Sequence, residues 1–270
     1  MTEFFKRVAT IMVLVLILTL LFLYGTNTSL LVAIYSVTLL SFHEWLSITT
    51  KSKYYILPFL VLIYLIDYIK VIDIVVFTQI SLLLLIIMVY LTFVHESYLR
   101  EKIKQHSLFY GIFLNLSFFL FLTNLYPYDN TLGTQSYLMD NKHYFVILIS
   151  LVSFIDMSAY LSGKLIGKHK ITSAISPNKT YEGYIGAFTL TIITFFLISN
   201  YLNFQWTSLD IVLLLIFIMM VFFGDLFMSL IKRVFEIKDT GTLLPGHGGV
   251  LDRLDGYFTS LPIFYLWFLF

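Results

Sequence analysis

The sequence predicts an all-α polytopic membrane protein with about nine transmembrane helices and a cytoplasmic N-terminus. Three observations lead there. Of its 270 residues, 59% are hydrophobic and only 12% charged, whereas a soluble domain carries about 25% charged residues. The apolar residues fall into nine separate runs. The basic residues between those runs are sorted to one side.

The runs cover residues 8–24, 30–46, 54–68, 71–94, 108–125, 144–161, 184–202, 211–231 and 257–270. A straight span needs about 20 residues, within a range of about 17–25. Lys6 and Arg7 precede the first run, as they would in a signal peptide. The run is long, however, and no small-x-small cleavage site follows Gly25-Thr26-Asn27, so a retained span is expected. The third run is short and is read as starting in the interface; the ninth is short and borrows Leu254–Gly256. The stretch 54–94 would measure ~61 Å as one helix at about 1.5 Å per residue, twice the ~30 Å hydrocarbon core. It must turn, most simply at Ile69-Lys70.

Nine spans place Lys6, Arg7, Lys51, Lys53, Arg100, Lys102, Lys104, Lys164, Lys168, Lys170, Lys179, Lys232, Arg233, Lys238 and Arg253 in the inside loops. Only Lys70 and Lys142, of 17 basic residues, fall outside. Cytoplasmic loops carry this excess in membrane proteins. The chain reads as a single integral membrane domain, 1–270, with N-terminal spans over 1–150 and catalytic spans with cytoplasmic loops over 151–270. The absence of Cys excludes thiol chemistry, and a net charge of +1 gives no bulk electrostatic case for nucleic acid. No internal repeat is visible.

Five carboxylates lie within or at the edge of the runs: Glu44, Asp67, Asp73, Asp156 and Asp225. A carboxylate at mid-membrane costs about 2.5–3.5 kcal/mol on insertion scales. Glu44, Asp67 and Asp73 sit near span ends and are expected to snorkel or pair locally. Asp156 and Asp225 each lie in the half of a span that leads into a basic loop. On helices, Asp225, Ser229 and Lys232 share one face, and so do Asp156, Tyr160 and Gly163.

The loop 232–256 holds Lys232, Arg233, Lys238, Asp239, Asp252, Arg253 and Asp255 around Pro245-Gly246-His247-Gly248-Gly249. Carboxylate oxygens suit Mg²⁺, which is commonly held by one or two carboxylates plus substrate phosphates. Arg and Lys neutralise phosphate oxygens, and a glycine-rich turn lets backbone N–H groups approach an anion. The turn is no Walker A loop, since no GK[ST] follows. His247 is read either as a phosphate contact or as a turn-stabilising residue. The loop 164–183 adds Ser176-Pro177-Asn178-Lys179-Thr180-Tyr181-Glu182-Gly183. Lys164, Lys168 and Lys170 would equally serve to set topology against anionic lipid. No HExxH, Cys/His cluster or GxSxG elbow is present, which argues against zinc and serine hydrolysis. The residues alone therefore point to a membrane-embedded site at the cytoplasmic face, with a divalent metal, a phosphate-rich substrate and a lipid partner.

The stretch Ser229-Leu230-Ile231-Lys232-Arg233, then Lys238-Asp239, then Pro245-Gly246-His247-Gly248-Gly249-Val250-Leu251-Asp252-Arg253-Leu254-Asp255 resembles the signature of the phosphatidate cytidylyltransferases (CDP-diacylglycerol synthases). Asp156 with Ala159-Tyr160 and Gly163-Lys164 is similar to a second segment of that family. Ser176–Gly183 is similar to a third, with Tyr181 where a Trp is usual and Asn178 where Lys or Gly is frequent. His43-Glu44 resembles a weaker glutamate position. The motifs cover the C-terminal part of the chain; the N-terminal spans match in hydropathy and length only.

The resemblance implies that CTP and phosphatidate give CDP-diacylglycerol and pyrophosphate. It also implies a nine-span homodimer in a bacterial inner membrane that uses Mg²⁺, with a second cation such as K⁺ as a further candidate. The implied metal ligands are Asp225 and Asp252, with Asp239 and Asp255 as further candidates. Lys232, Arg233, Lys238, Arg253 and Lys179 would hold the phosphates. Ser176, Thr180, Glu182, Ser229, His247, Gly248 and Gly249 would line the substrate site. Asp156 would support either the metal or base recognition. A CTP-dependent polyprenol or phytol kinase is the nearest rival enzyme, and a membrane transporter the rival of another class. The full signature argues against the first and the lack of inverted repeats against the second.

Overall fold

A computed structural model describes residues 3–49, 52–69, 73–93, 97–125, 142–172, 175–201 and 206–269. The helices, in chain order, are α1 (Glu3–Tyr24), α2 (Asn27–Thr49), α3 (Ile56–Ile69), α4 (Ile74–Phe93), α5 (Ser97–Gln105), α6 (Ser107–Leu125), α7 (Lys142–Ile166), α8 (Tyr181–Tyr201), α9 (Ser208–Val234) and α10 (Leu251–Leu269). Each apolar run has its own helix. Among the described residues, five helices (α2, α6, α7, α8 and α9) are long and apolar enough to cross a membrane. α3 ends at Ile69, the first residue of the expected turn; Lys70 lies outside the described residues, as does Lys51.

Two elements depart from the expectation of plain loops. α5 is a short basic helix whose Ile103 is buried while Arg100, Lys102 and Lys104 stay exposed. That is the pattern of a segment lying along a polar–apolar boundary. Between α7 and α8, β1 (Lys170–Thr172) pairs antiparallel with β2 (Ser176–Thr180). Pro177 is tolerated there because a two-stranded ribbon is all edge.

Helix ends are set by local chemistry. Thr207 and Asp210 form a reciprocal capping box at the start of α9. The Asp73 carboxylate accepts the Val75 N–H at 2.8 Å at the start of α4. Asp67 accepts a 2.9 Å hydrogen bond from the Tyr35 hydroxyl. Asp73 thus finds a local partner, while the partner of Asp67 comes from α2.

The core lies where α2, α6, α9 and α10 meet, with Phe42, Trp45, Phe119, Phe121, Phe217, Phe227 and Phe264 fully buried. Lipid offers helices no hydrophobic gain on association, so close packing at small residues carries it instead. Gly111 lies under the Trp45 ring, whose Nε1–H reaches the Ser107 carbonyl at 2.9 Å. Gly186 meets Ser162 across α7 and α8. Gly224 of α9 faces the Asp255 carbonyl and the Thr259 hydroxyl of α10, and a Cβ there would collide with both.

Gly224→Leu is therefore expected to force α9 and α10 apart. Overpacking costs typically about 1–3 kcal/mol, which thermal melting in detergent would register as a clear drop. A variant melting with its parent would mean the two helices do not pack this closely.

The chain brings several distant helix ends to one end of the bundle. The C-terminal part of α2 meets the start of α10 through Glu44. α1 meets the turn after α9 through Thr10. The segment between α7 and α8 meets α9 through Lys179 and Arg233.

Candidate active site

The 232–256 loop is held shut by two buried carboxylates. Asp252, in the first turn of α10, accepts four hydrogen bonds. Lys232 Nζ donates to Oδ1 at 2.8 Å. Thr240 N (2.8 Å), Thr240 Oγ1 (2.9 Å) and Gly249 N (3.1 Å) donate to Oδ2. The Lys232 and Asp252 side chains are only 16% and 6% exposed, so this is a buried ion pair. Its charges are stabilised because nearly every lone pair has a donor.

Glu44 of α2 is the second. It is 3% exposed, and it accepts the Val250 N–H on Oε1 at 3.0 Å and the Leu251 N–H on Oε2 at 2.8 Å. The Thr240 hydroxyl adds a longer contact at 3.3 Å. These are the orphan donors of an incoming helix, and an anion there also complements the helix dipole. Gly241 and Gly249 let the carboxylate approach, since a Cβ on either would collide with it. A place near a span end predicts snorkelling or a local partner for Glu44. It does neither: it clamps a loop at the far end of the chain, because the α2 end carrying it packs beneath that loop. The sequence carries two signs of it, a glutamate late in an apolar run and the family resemblance at His43-Glu44, and neither names the partner.

A second cluster forms between α7, α8, α9 and α10. The Lys179 ammonium pairs with Asp225, and Asp156 and Asp255 lie within electrostatic reach of Asp225 and of each other. The Arg253 charge also acts on Asp156. Three carboxylates thus share the neighbourhood of the Lys179 ammonium, and the cluster invites a further cation. Among the described residues no three His, Asp or Glu side chains converge as a complete metal cage. Mg²⁺ does not need one, because it commonly takes one or two carboxylates with substrate phosphates completing its shell. The donor set fits such an ion at Asp225. Asp252 fits less directly, since three protein donors already claim Oδ2 and Lys232 holds Oδ1.

The glycine-rich turn projects beyond both. Gly246 and Gly248 adopt φ of 78° and 82°, a region open to glycine at no steric cost. The Leu244 N–H reaches the Gly248 carbonyl and the His247 N–H the Leu244 carbonyl, both at 2.9 Å. Arg253 Nη2 donates to the His247 carbonyl at 3.0 Å. Lys238, Asp239, His247, Gly248 and Arg253 line a pocket of about 670 Å³. That lies within the usual range of about 300–1,000 Å³ for ligand sites.

Other residues singled out in the sequence have structural partners. Arg233 Nε donates to the Ile175 carbonyl at 3.2 Å, tying α9 to the hairpin. Thr180 Oγ1 accepts the Gly183 N–H at 3.1 Å and caps α8 at its crossing with Gly163. Glu182 accepts the Lys168 and His169 N–H groups and pairs with the His169 ring. Ser229 is buried on α9, and Ser176 opens β2. The loop after α9 and the segment from Asp156 to Gly183 thus converge, while Thr180, Glu182 and Arg233 shape the walls.

The family model described as the cytidylyltransferase family matches residues 5–270. A phosphatidate cytidylyltransferase of Staphylococcus haemolyticus (strain JCSC1435) is 40% identical over 126 residues, 46% of this chain and 48% of the relative. That of Staphylococcus aureus (strain COL) is 40% identical over 127 residues, with the same coverage. That of Staphylococcus epidermidis (strain RP62A) is 36% identical over 126 residues. The aligned chain spans about half the length of these curated relatives. The family match runs from α1 through α10, and on that extent the chain belongs to the cytidylyltransferase family.

Proposed function

We propose that the chain is a phosphatidate cytidylyltransferase, converting CTP and phosphatidate to CDP-diacylglycerol and pyrophosphate. The observation that carries this reading is the folding of the 229–255 signature into one polar knot beside the Asp225–Lys179 pair. The nine apolar runs as nine spans, the site on the cytoplasmic face of a bacterial inner membrane, and a homodimeric enzyme belong to the same reading. It draws further support from the names of the staphylococcal relatives.

In the reaction, a phosphatidate oxygen forms a bond to the α-phosphorus of CTP, and the α–β bridging P–O bond breaks. The electron pair leaves with pyrophosphate. The attacking oxygen is already anionic, so no general base is required. What remains is alignment and charge neutralisation, the main contributions in phosphoryl-type transfers. Lys179 and Arg253 stand beside the carboxylate cluster and would orient phosphates against it. Lys232 keeps Asp252 ionised and the loop in register. Mg²⁺, held first by Asp225, would supply charge neutralisation on the substrate phosphates. Asp252, whose Oδ1 takes one donor against three on Oδ2, would be the further carboxylate of that ligand set. K⁺ is a candidate for a second cation in the same cluster.

Product analysis tests the reading. Purified protein in detergent is given phosphatidate, Mg²⁺ and CTP labelled at the α-phosphate. Label is expected in a lipid, with pyrophosphate released. Label confined to soluble CDP, with a lipid alcohol phosphorylated, would replace this reading by a kinase. EDTA is expected to abolish turnover and excess Mg²⁺ to restore it; full activity in EDTA would remove the metal from the scheme.

A further inference from the structure

The pocket beneath the glycine-rich turn has a wall that the signature does not supply. Lys6, in the first turns of α1, lines it together with Lys238, His247 and Arg253, with Asp239 the carboxylate among the described lining residues. α1 is fixed at this point. The Thr10 hydroxyl lies 2.8 Å from the Pro245 carbonyl and 3.0 Å from the Lys6 carbonyl. Thr10 is four positions after Lys6 and so shares its helix face. The contact that docks α1 on the turn therefore also aims Lys6 into the pocket. Three permanent cations on one rim, with glycines opening the backbone, make a surface for a multiply charged anion. Arg253 lines this pocket and also acts on Asp156 of the carboxylate cluster. One side chain, Arg253, thus bears on both the pocket and the cluster.

We infer that this pocket seats the β- and γ-phosphates of the nucleotide, later the leaving pyrophosphate, and that Lys6 is a binding residue contributed by α1. The inference rests on the cytidylyl-transfer reading for the identity of the polyphosphate, but not for the anion site itself. Lys6 gives a flexible point charge from α1, while Arg253 gives a planar fork from α10. Bond cleavage at the α-phosphorus adds negative charge to the group held here, so the pocket favours the leaving group as it forms.

The test uses the full chain in detergent and inorganic pyrophosphate as probe. EDTA is present, so that no metal bridges probe and protein. Wild-type protein is expected to bind pyrophosphate, and Lys6→Ala to weaken that binding roughly tenfold, the loss of about 1.4 kcal/mol. Lys6→Arg should recover most of it, and the salt dependence of binding should flatten in Lys6→Ala alone. Equal affinity in wild type and Lys6→Ala would overturn the assignment of Lys6. No pyrophosphate binding by the wild type would overturn the pocket itself. Lys6-dependent binding in a protein that makes no CDP-diacylglycerol would leave the anion site standing and sink the reaction assigned above.

Discussion

Asp252→Asn is expected to reduce cytidylyl transfer by at least about a hundredfold, equivalent to roughly 3 kcal/mol of lost transition-state stabilisation. It should also destabilise the protein by about 3–5 kcal/mol, the usual cost of breaking a buried ion pair from one side. The substitution keeps the shape of the side chain and changes only what its two ends can do. With the amide nitrogen at the Oδ2 position, it would face the Thr240 and Gly249 N–H groups, donor against donor. With the nitrogen at the Oδ1 position, it would face the Lys232 ammonium. Neither rotamer satisfies all four donors, and Lys232 keeps a charge with no counterion. The loop from Lys238 to Gly249 then loses its anchor, and with it the placement of Lys238, His247 and Arg253. Turnover and thermal melting should therefore fall together. Lost turnover with an unchanged melting temperature would mean that Asp252 acts on substrate or metal rather than on the loop. Unchanged turnover would remove it from the site altogether.

How far this site can be read in advance depends on the range of the interaction that builds each part. The apolar helices are legible because a bilayer demands about 20 apolar residues in a row, a property of contiguous sequence. The reactive loop is legible for a similar reason: Lys232, Asp239, Asp252 and Asp255 crowd into one short polar stretch between apolar runs. The ribbon Lys170–Thr180 is too short to carry a periodic signal. α5 is hidden because it is nine residues long, and among its described side chains Ile103 is the buried apolar one. Arg233 reads as a phosphate contact in the sequence, yet its Nε lies on the Ile175 carbonyl. Spacing shows only that the arginine is near the membrane surface; which backbone it meets is decided by how the α7–α8 hairpin packs on α9. Lys6 and Glu44 are the extreme cases. Each meets the loop from the opposite end of the chain, and no local pattern encodes such a meeting.

Glu44 therefore makes the sharper test of the fold's contribution to catalysis. Glu44→Gln is expected to cost about 2–4 kcal/mol, since hydrogen bonds to a charged group contribute about 1.5–3 kcal/mol each. A glutamine offers one acceptor where the structure needs two. If its oxygen accepts the Leu251 N–H, its NH₂ group is turned on the Val250 N–H. Glu44→Asp keeps both acceptors but withdraws them by one methylene from a site where Gly241 and Gly249 already press against the carboxylate. It should restore part of what Gln loses. Because Glu44 lies under the loop rather than in the pocket, its loss loosens the walls without removing a ligand. The Michaelis constant for CTP should rise and kcat fall by roughly tenfold or more, a fall of about 1.4 kcal/mol in transition-state stabilisation. α-Helix content should not change, since Glu44 joins helices already formed. A Gln variant with wild-type melting and kinetics would show that the α10 N-terminus holds its place without α2. The glycines at 241 and 249 would then lack their present explanation.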